Sequence, residues 1–456
     1  MMKTRPTAVA VLLAVVSIAA AAGIVTDGPN PMPLPECPFA VAPWVCKVDN
    51  AAHAVGVVGG FNAVRIGQGG FGALTVGADS SLIVSSNPST QSGNVVVGDN
   101  VGSAAHLSVI NGGTVSINAV TTASSLGGLL VGPFAAAPNT LMPSTTMFIA
   151  NGSKVEVFKQ GGFGVGSAVG VGFAAGSFSS VVLDGGIGGF GNPALGATLN
   201  TTGNISIGRE GKGSVGLARN ATLNADLIFL SAISPLGSSQ LNVGFNSTVN
   251  ATAVYAGIAL NLNTNQIDAN LNSHGQAFVS IREFGSLDST LTLGKGGTLL
   301  GTGHVANLIN HGGFVRPGFS PGRLTIDHDF TDIGGKLVIE IGPHGSDFLD
   351  VLGALSLEDT SIEFSFTDGF APQAGFEYDF MDASSIAGLV GVRYSFSGLQ
   401  PGFAFDVKIG ADGQFAFIAR TDGVAIPEPS TLAMLGAALL AGCTTTRRRR
   451  RSAHLP

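Results

Sequence analysis

The chain has 456 residues, 67 of them glycine, with only 11% charged residues and a formal net charge of −7. Mean hydropathy is +0.40, yet no internal stretch offers the roughly 20 apolar residues that a membrane span needs, which excludes a polytopic membrane protein. The scarcity of charge excludes disorder of the usual polar kind, and Ala, Val, Leu and Phe broken every few residues by Gly, Asn, Ser and Thr predict an all-β chain of short strands and tight turns.

Met1 to about Ala22 has the layout of a secretory signal peptide. Lys3 and Arg5 form the basic end, residues 8–18 the apolar run, and Ala19–Ala22 the small residues suited to cleavage. Residues 23–60 form a Pro-rich lead-in and N-terminal cap holding Trp44, Cys37 and Cys46. In an exported chain, two cysteines nine positions apart most simply close a small disulfide loop, and no CxxC or His cluster accompanies them to point to a metal.

Residues 61–330 repeat a pattern. Leu74-Thr-Val-Gly-Ala-Asp-Ser-Ser-Leu82 aligns with the nine-residue stretches beginning at Leu107, Met147, Val215, Leu241 and Leu291. Apolar residues recur at places one, three and nine, a Gly/Asn/Asp turn falls in the middle, and Ser or Thr usually stands eighth. Several copies follow a strand ending in glycine, at Gly67, Gly98, Gly132 and Gly208. A unit of three short strands in about 20–23 residues buries nothing alone, so neighbouring units must stack. The predicted fold is all-β: a parallel β-helix solenoid. A barrel or propeller needs longer strands or longer repeats. Residues 331–425, rich in Phe and Asp beyond 360, are expected to form a C-terminal β cap that protects the open end.

The segment Gly301-Thr-Gly303, Asn310-His-Gly-Gly313 and Pro317-Gly-Phe-Ser-Pro-Gly322 resembles the end of the β-helical passenger in autotransporter-type proteins. The resemblance implies that these turns close successive coils.

The chain ends with Pro427-Glu428-Pro429, an apolar run from Leu432 to Gly442, and Arg447, Arg448, Arg449, Arg450 and Arg451. The prolines delay a helix until Ser430, a good N-cap, and the arginines hold the end of a single membrane helix on the cytoplasmic side. Motif, helix and arginine block in this order, over residues 426–451, resemble the PEP-CTERM sorting signal of Gram-negative bacteria. The resemblance implies that an exosortase-type processing enzyme recognises Pro427, Glu428 and Pro429, and that the five arginines act as a membrane stop. It further implies Sec export, an inner-membrane intermediate, then delivery to the cell surface or to an extracellular, biofilm-type matrix, with polysaccharide as a partner. Loss of Lys3, Arg5 and the five arginines would leave a passenger of net charge −14, which argues against nucleic acid as a partner.

Sites of chemistry are sparse. Arg209-Glu210-Gly-Lys212 reads as a polar turn, and Asp327-His328-Asp329 with Asp332 as a charged turn rather than a metal site. Asp347 and Asp350, with His344 nearby, leave calcium in a β-turn open. No GxSxG elbow or phosphate loop stands in a suitable context. The expectation is a structural or adhesive exported protein, not an enzyme, without cofactor or metal. The alternative is a secreted polysaccharide lyase or hydrolase on the same scaffold, with Asp327 or Asp329 at its site.

Overall fold

The computed structural model describes residues 24–27, 45–48 and 52–55 and most of the chain from 63 to 426. Residues 1–23, 427–456 and several connecting segments lie outside the described residues. Those described contain strands and turns and no helix, and nearly all the strands pair in parallel with a strand one turn of chain later.

The coil Gly72–Val76, Ser81–Ser85, Asn94–Val97 shows the unit. Each of its strands pairs in parallel with its counterpart in the next coil, giving three faces. On the first face Leu74, Leu107, Met147, Val181, Val215, Leu241 and Val279 stand in register, followed by Leu299, Val315, Leu337 and Ile362. On the second, Leu82, Val115, Val155, Leu199, Leu223, Val249, Leu287, Val305, Ile326 and Val351 stack. On the third, Val64, Val95, Leu129, Val169, Ile205, Ile228, Val254, Leu291, Leu308, Phe330 and Leu355 stack. All of these side chains are buried. The result is a β-helix-like solenoid in which every coil buries its apolar positions against its neighbours, because a strand of four or five residues has too little area to hold itself.

Three details differ from the sequence pattern. The stretch beginning at Leu291 is a false copy: Leu291 and Leu293 lie on the third face and only Leu299 on the first. The true copy is Val279-Ser-Ile-Arg-Glu-Phe-Gly-Ser-Leu287, which has the same apolar places but no Asn in its turn. A further copy begins at Val181 and is hidden because the insertion between Asp184 and Ala197 sets its second strand outside the nine-residue frame. Coil length is also not fixed at 20–23 residues, since successive first-face partners lie 40 apart from Leu107 to Met147 and 16 apart from Leu299 to Val315.

Several of the third-face strands end on a left-handed residue. Gly132, Gly172, Gly208 and Gly257 hold that place with φ of 62–65°, and Gly172 supplies the copy absent from the 132-to-208 interval of the sequence pattern. Ser231 takes it in one coil at φ 49°, and its hydroxyl donates to Ser239 Oγ at 2.7 Å. A polar side chain thus replaces hydrogen where the neighbouring coil offers a partner.

The parallel coils run on past residue 330 through Lys336–Gly342, Phe348–Glu358 and Ser361–Phe366. Glu377–Val390 pairs in parallel with Phe348–Glu358 and, on its other side, antiparallel with Phe415–Ala419, which forms a hairpin with Phe405–Ile409. This reversal of direction ends the solenoid. Beneath it Phe364 meets the rings of Phe380, Phe405 and Phe417 at centroid distances of 5.0, 5.4 and 4.8 Å, and Phe366 meets Phe403 at 5.7 Å. Aliphatic stacks fill the coils and aromatic rings fill the wider end, where no further coil supplies a partner surface. At the other end Ile24–Asp27 runs antiparallel to Ala63–Ile66.

Candidate functional site

The densest polar construction lies at the corner between the third and first faces. Asn310 and Asp332 occupy stacked positions in successive coils and are fully buried. Asn310 Nδ2 donates to Asp332 Oδ2 at 2.7 Å and to the Gly313 carbonyl at 3.1 Å, while Gly313 N donates to Asn310 Oδ1 at 2.8 Å. Gly335 N and the buried Thr360 hydroxyl both donate to Asp332 Oδ1 at 2.8 Å. Burial pushes the Asp332 carboxyl above its usual range, against these hydrogen bonds and the charge of His311. Every polar atom of the pair faces a protein partner in a dry corner, so the network holds three coils together and exposes no group to a substrate. Its signal was present in the chain as Asn310-His-Gly-Gly and Asp332-Ile-Gly-Gly, 22 residues apart. The second is masked by the sequence neighbours of Asp332, Asp327 and Asp329, beside which it reads as part of a charged turn.

The structure separates the acidic cluster around 327. Asp327 faces His304 at 2.9 Å, Asp329 Oδ1 accepts the Ala354 amide at 2.8 Å, His328 is exposed, and Asp332 turns inward. Asp350 pairs with Arg323 at 2.8 Å, and Arg323 also lies 4.1 Å over the Phe348 ring. His344 lines a shallow cleft of about 30 Å³ with Pro321, Glu340, Thr367 and Asp368, too small for more than a water or two. Among the described residues no three His, Cys, Asp or Glu side chains come together in a metal-ligating group. In the 209–212 segment, Arg209 is held below its usual range by burial despite the charge of Glu210, while Lys212 starts a first-face strand.

Asp347 is a buried carboxylate in a different setting. Its Oδ1 accepts Gly322 N and its Oδ2 accepts Glu340 N, each at 3.1 Å, so it ties the turn around Gly318 and Gly322 to the next coil. Burial outweighs those bonds, and with Glu340 nearby the carboxyl is pushed up to about 7. The folded chain therefore holds this proton across a range in which the unfolded chain, titrating near 3.8, has lost it. Stability contributed here is present at low pH and declines as pH rises from about 4 to 7, by at most about 4 kcal/mol. Thermal unfolding of the wild type and an Asp347→Asn variant should show it: the wild type loses midpoint relative to the variant as pH is raised from 4.5 to 7.5. A constant difference would contradict the assignment.

The C-terminal edge joins the cap to the sorting segment. Gly423 N donates to the Pro372 carbonyl at 2.7 Å, Gln400 N to Val424 O at 2.8 Å, and Ile426 N to Gly398 O at 3.1 Å, around an antiparallel bridge between Leu399 and Ala425. Residues 423–426 are thus strapped to the cap. Pro427, Glu428, Pro429, Arg447 to Arg451, the apolar run between them, the signal peptide and Cys37 lie outside the described residues. Cys46 falls within the strand Val45–Val48, in register with Leu74, and the Cys37–Cys46 disulfide is not described.

Residues 425–451 match the family model of the PEP-CTERM protein-sorting motif, so the match begins inside the strap. The motif marks an exported chain with a membrane-anchored intermediate that an exosortase-type enzyme processes. A comparison with curated proteins finds no match.

Proposed function

We propose that this chain is a non-catalytic structural or adhesive protein of the bacterial cell surface or extracellular matrix, sorted through its C-terminal motif. The motif at 425–451 carries the reading, because it follows directly on a closed, aromatic-filled cap. A rigid solenoid with a protected end suits an extracellular element that stays folded without partners. The engagement of Asp327, Asp329, Asp332 and Asp350 with local protein groups supports a structural use of the acidic residues, since a hydrolytic site needs carboxylates converging on one substrate bond.

Pro427, Glu428 and Pro429 serve here as recognition elements for the processing enzyme, and the arginines hold the intermediate in the inner membrane. Replacing the three motif residues by alanine should leave export intact and trap the uncleaved chain in the inner membrane. Mass spectrometry of the C-terminal peptide from fractionated cells reads the outcome. A wild-type terminus near Pro429 in envelope or medium is expected, and normal surface delivery of the triple variant would overturn the proposal.

A further inference from the structure

The corner between the first and second faces turns on a left-handed residue five places after the stacked first-face position. Gly112, Gly152, Gly186, Asn220 and Asn246 hold that place in five coils, at φ of 86, 81, 78, 63 and 54°. In the coil that follows Asn246, Phe284 holds it at φ 58°. Glycine and asparagine tolerate this backbone; a bulky aromatic is strained in it, because Cβ crowds the following carbonyl. The core does not demand the ring, since Phe284 is 61% exposed. An aromatic held at a strained turn and aimed into water points to use outside the fold.

Phe284 is part of a track. Phe245, 54% exposed, packs edge-on to it at a centroid distance of 5.3 Å. Two residues before Phe284, the Arg282 guanidinium lies 5.3 Å over the ring of Phe319, itself 44% exposed and placed two coils further along. The Asn246 side-chain amide donates to Asn220 Oδ1 at the exposed end of the track. Three coil steps separate Phe245 from Phe319, about 14 Å at the spacing of paired strands.

We propose that this corner binds a neutral glycan chain. A pyranose ring presents an apolar C–H face that stacks on an aromatic ring and a rim of hydroxyls that bond amides and guanidinium groups. Phe245, Phe284 and Phe319 supply the faces; Asn220, Asn246 and Arg282 supply the rim. An apolar protein partner would find the track interrupted by Arg282, Glu283 and the two asparagines. A polyanionic polysaccharide would meet a passenger of net negative charge. The length suits an oligosaccharide stretch rather than one sugar. The inference rests on the adhesive reading only in giving it a partner, and it concerns a surface remote from the sorting motif.

The test is native affinity electrophoresis of the exported protein, in gels holding mixed-linkage β-glucan, galactomannan or dextran sulfate. Retardation by a neutral polymer and not by dextran sulfate is expected. Phe284→Gly, which keeps the left-handed turn and removes the ring, should weaken retardation at least tenfold while leaving the unfolding midpoint equal or higher. Phe245→Ala should weaken it similarly. Unchanged mobility of the wild type in both neutral gels, retardation by dextran sulfate alone, or retardation untouched by Phe284→Gly would overturn the site. A lower unfolding midpoint for Phe284→Gly would overturn it too, by assigning the ring to holding the corner. None of these outcomes touches sorting, which the C-terminal mass reads separately.

Discussion

Replacing Gly301 by alanine is expected to destabilise the coils around it by about 3 kcal/mol or more, the range of a strained backbone combined with a forced shift. Gly301 has φ 141°, a conformation L side chains rarely adopt, and a Cβ built on it would stand 1.9 Å from the Ile281 carbonyl oxygen. That oxygen accepts Thr302 N at 2.8 Å, and the Gly301 carbonyl accepts Gly318 N at 2.7 Å, so a shift to make room breaks bonds to coils on both sides. Only 16 residues separate Leu299 from Val315, which leaves no slack to absorb the movement. Circular dichroism melting and limited proteolysis should report a lower midpoint and new cleavage between about 281 and 325. A midpoint within experimental error of wild type would show that the corner rebuilds itself and that this glycine is dispensable.

Phe364→Ala should have an effect of comparable or larger size at the other critical place. The ring is fully buried and touches Phe380, Tyr394, Phe405 and Phe417. Truncation of a phenylalanine in such a site costs about 3–5 kcal/mol through lost transfer energy and the cavity left behind. The loss falls on the element that closes the solenoid, so it has a second consequence. If the Phe405–Ile409 and Phe415–Ala419 hairpin loosens, the edge of Glu377–Val390 is uncovered and offers unpaired backbone to another copy. The variant should therefore melt earlier and also show larger species by size-exclusion chromatography, whereas a purely local cavity would lower the midpoint without changing the elution volume.

The periodicity of the chain makes the solenoid legible in the sequence. Leu74, Leu107, Met147, Val215 and Leu241 align in the sequence and stack on one face. The copy at Leu291 failed because an apolar–x–apolar strand followed by a Gly turn reads alike at every corner of a three-faced coil, and residue type alone does not say which corner is meant. Val181 escapes the pattern for the opposite reason, since the extra residues between Asp184 and Ala197 break the nine-residue frame. Polar residues were harder still. Asp332 sits beside Asp327 and Asp329 in sequence, yet strand alternation sends it into the dry corner with Asn310 while they face outward. Stacking across coils, 22 residues away, decides its environment. Phe284 does not stand out in the sequence, because its counterparts at the same corner, Asn246 and Gly152, align with it only when the stretch at Val279, and not that at Leu291, is taken as the copy.

The strap of residues 423–426 bears on when the sorting motif becomes readable. Ile426 is hydrogen-bonded to Gly398, and Pro427 follows within about 4 Å of chain, with no spacer between anchored cap and motif. The motif therefore starts at the cap itself, with no linker to hold it away from the aromatic-filled end. The same three hydrogen bonds that complete the cap therefore set where the sorting segment leaves the folded passenger.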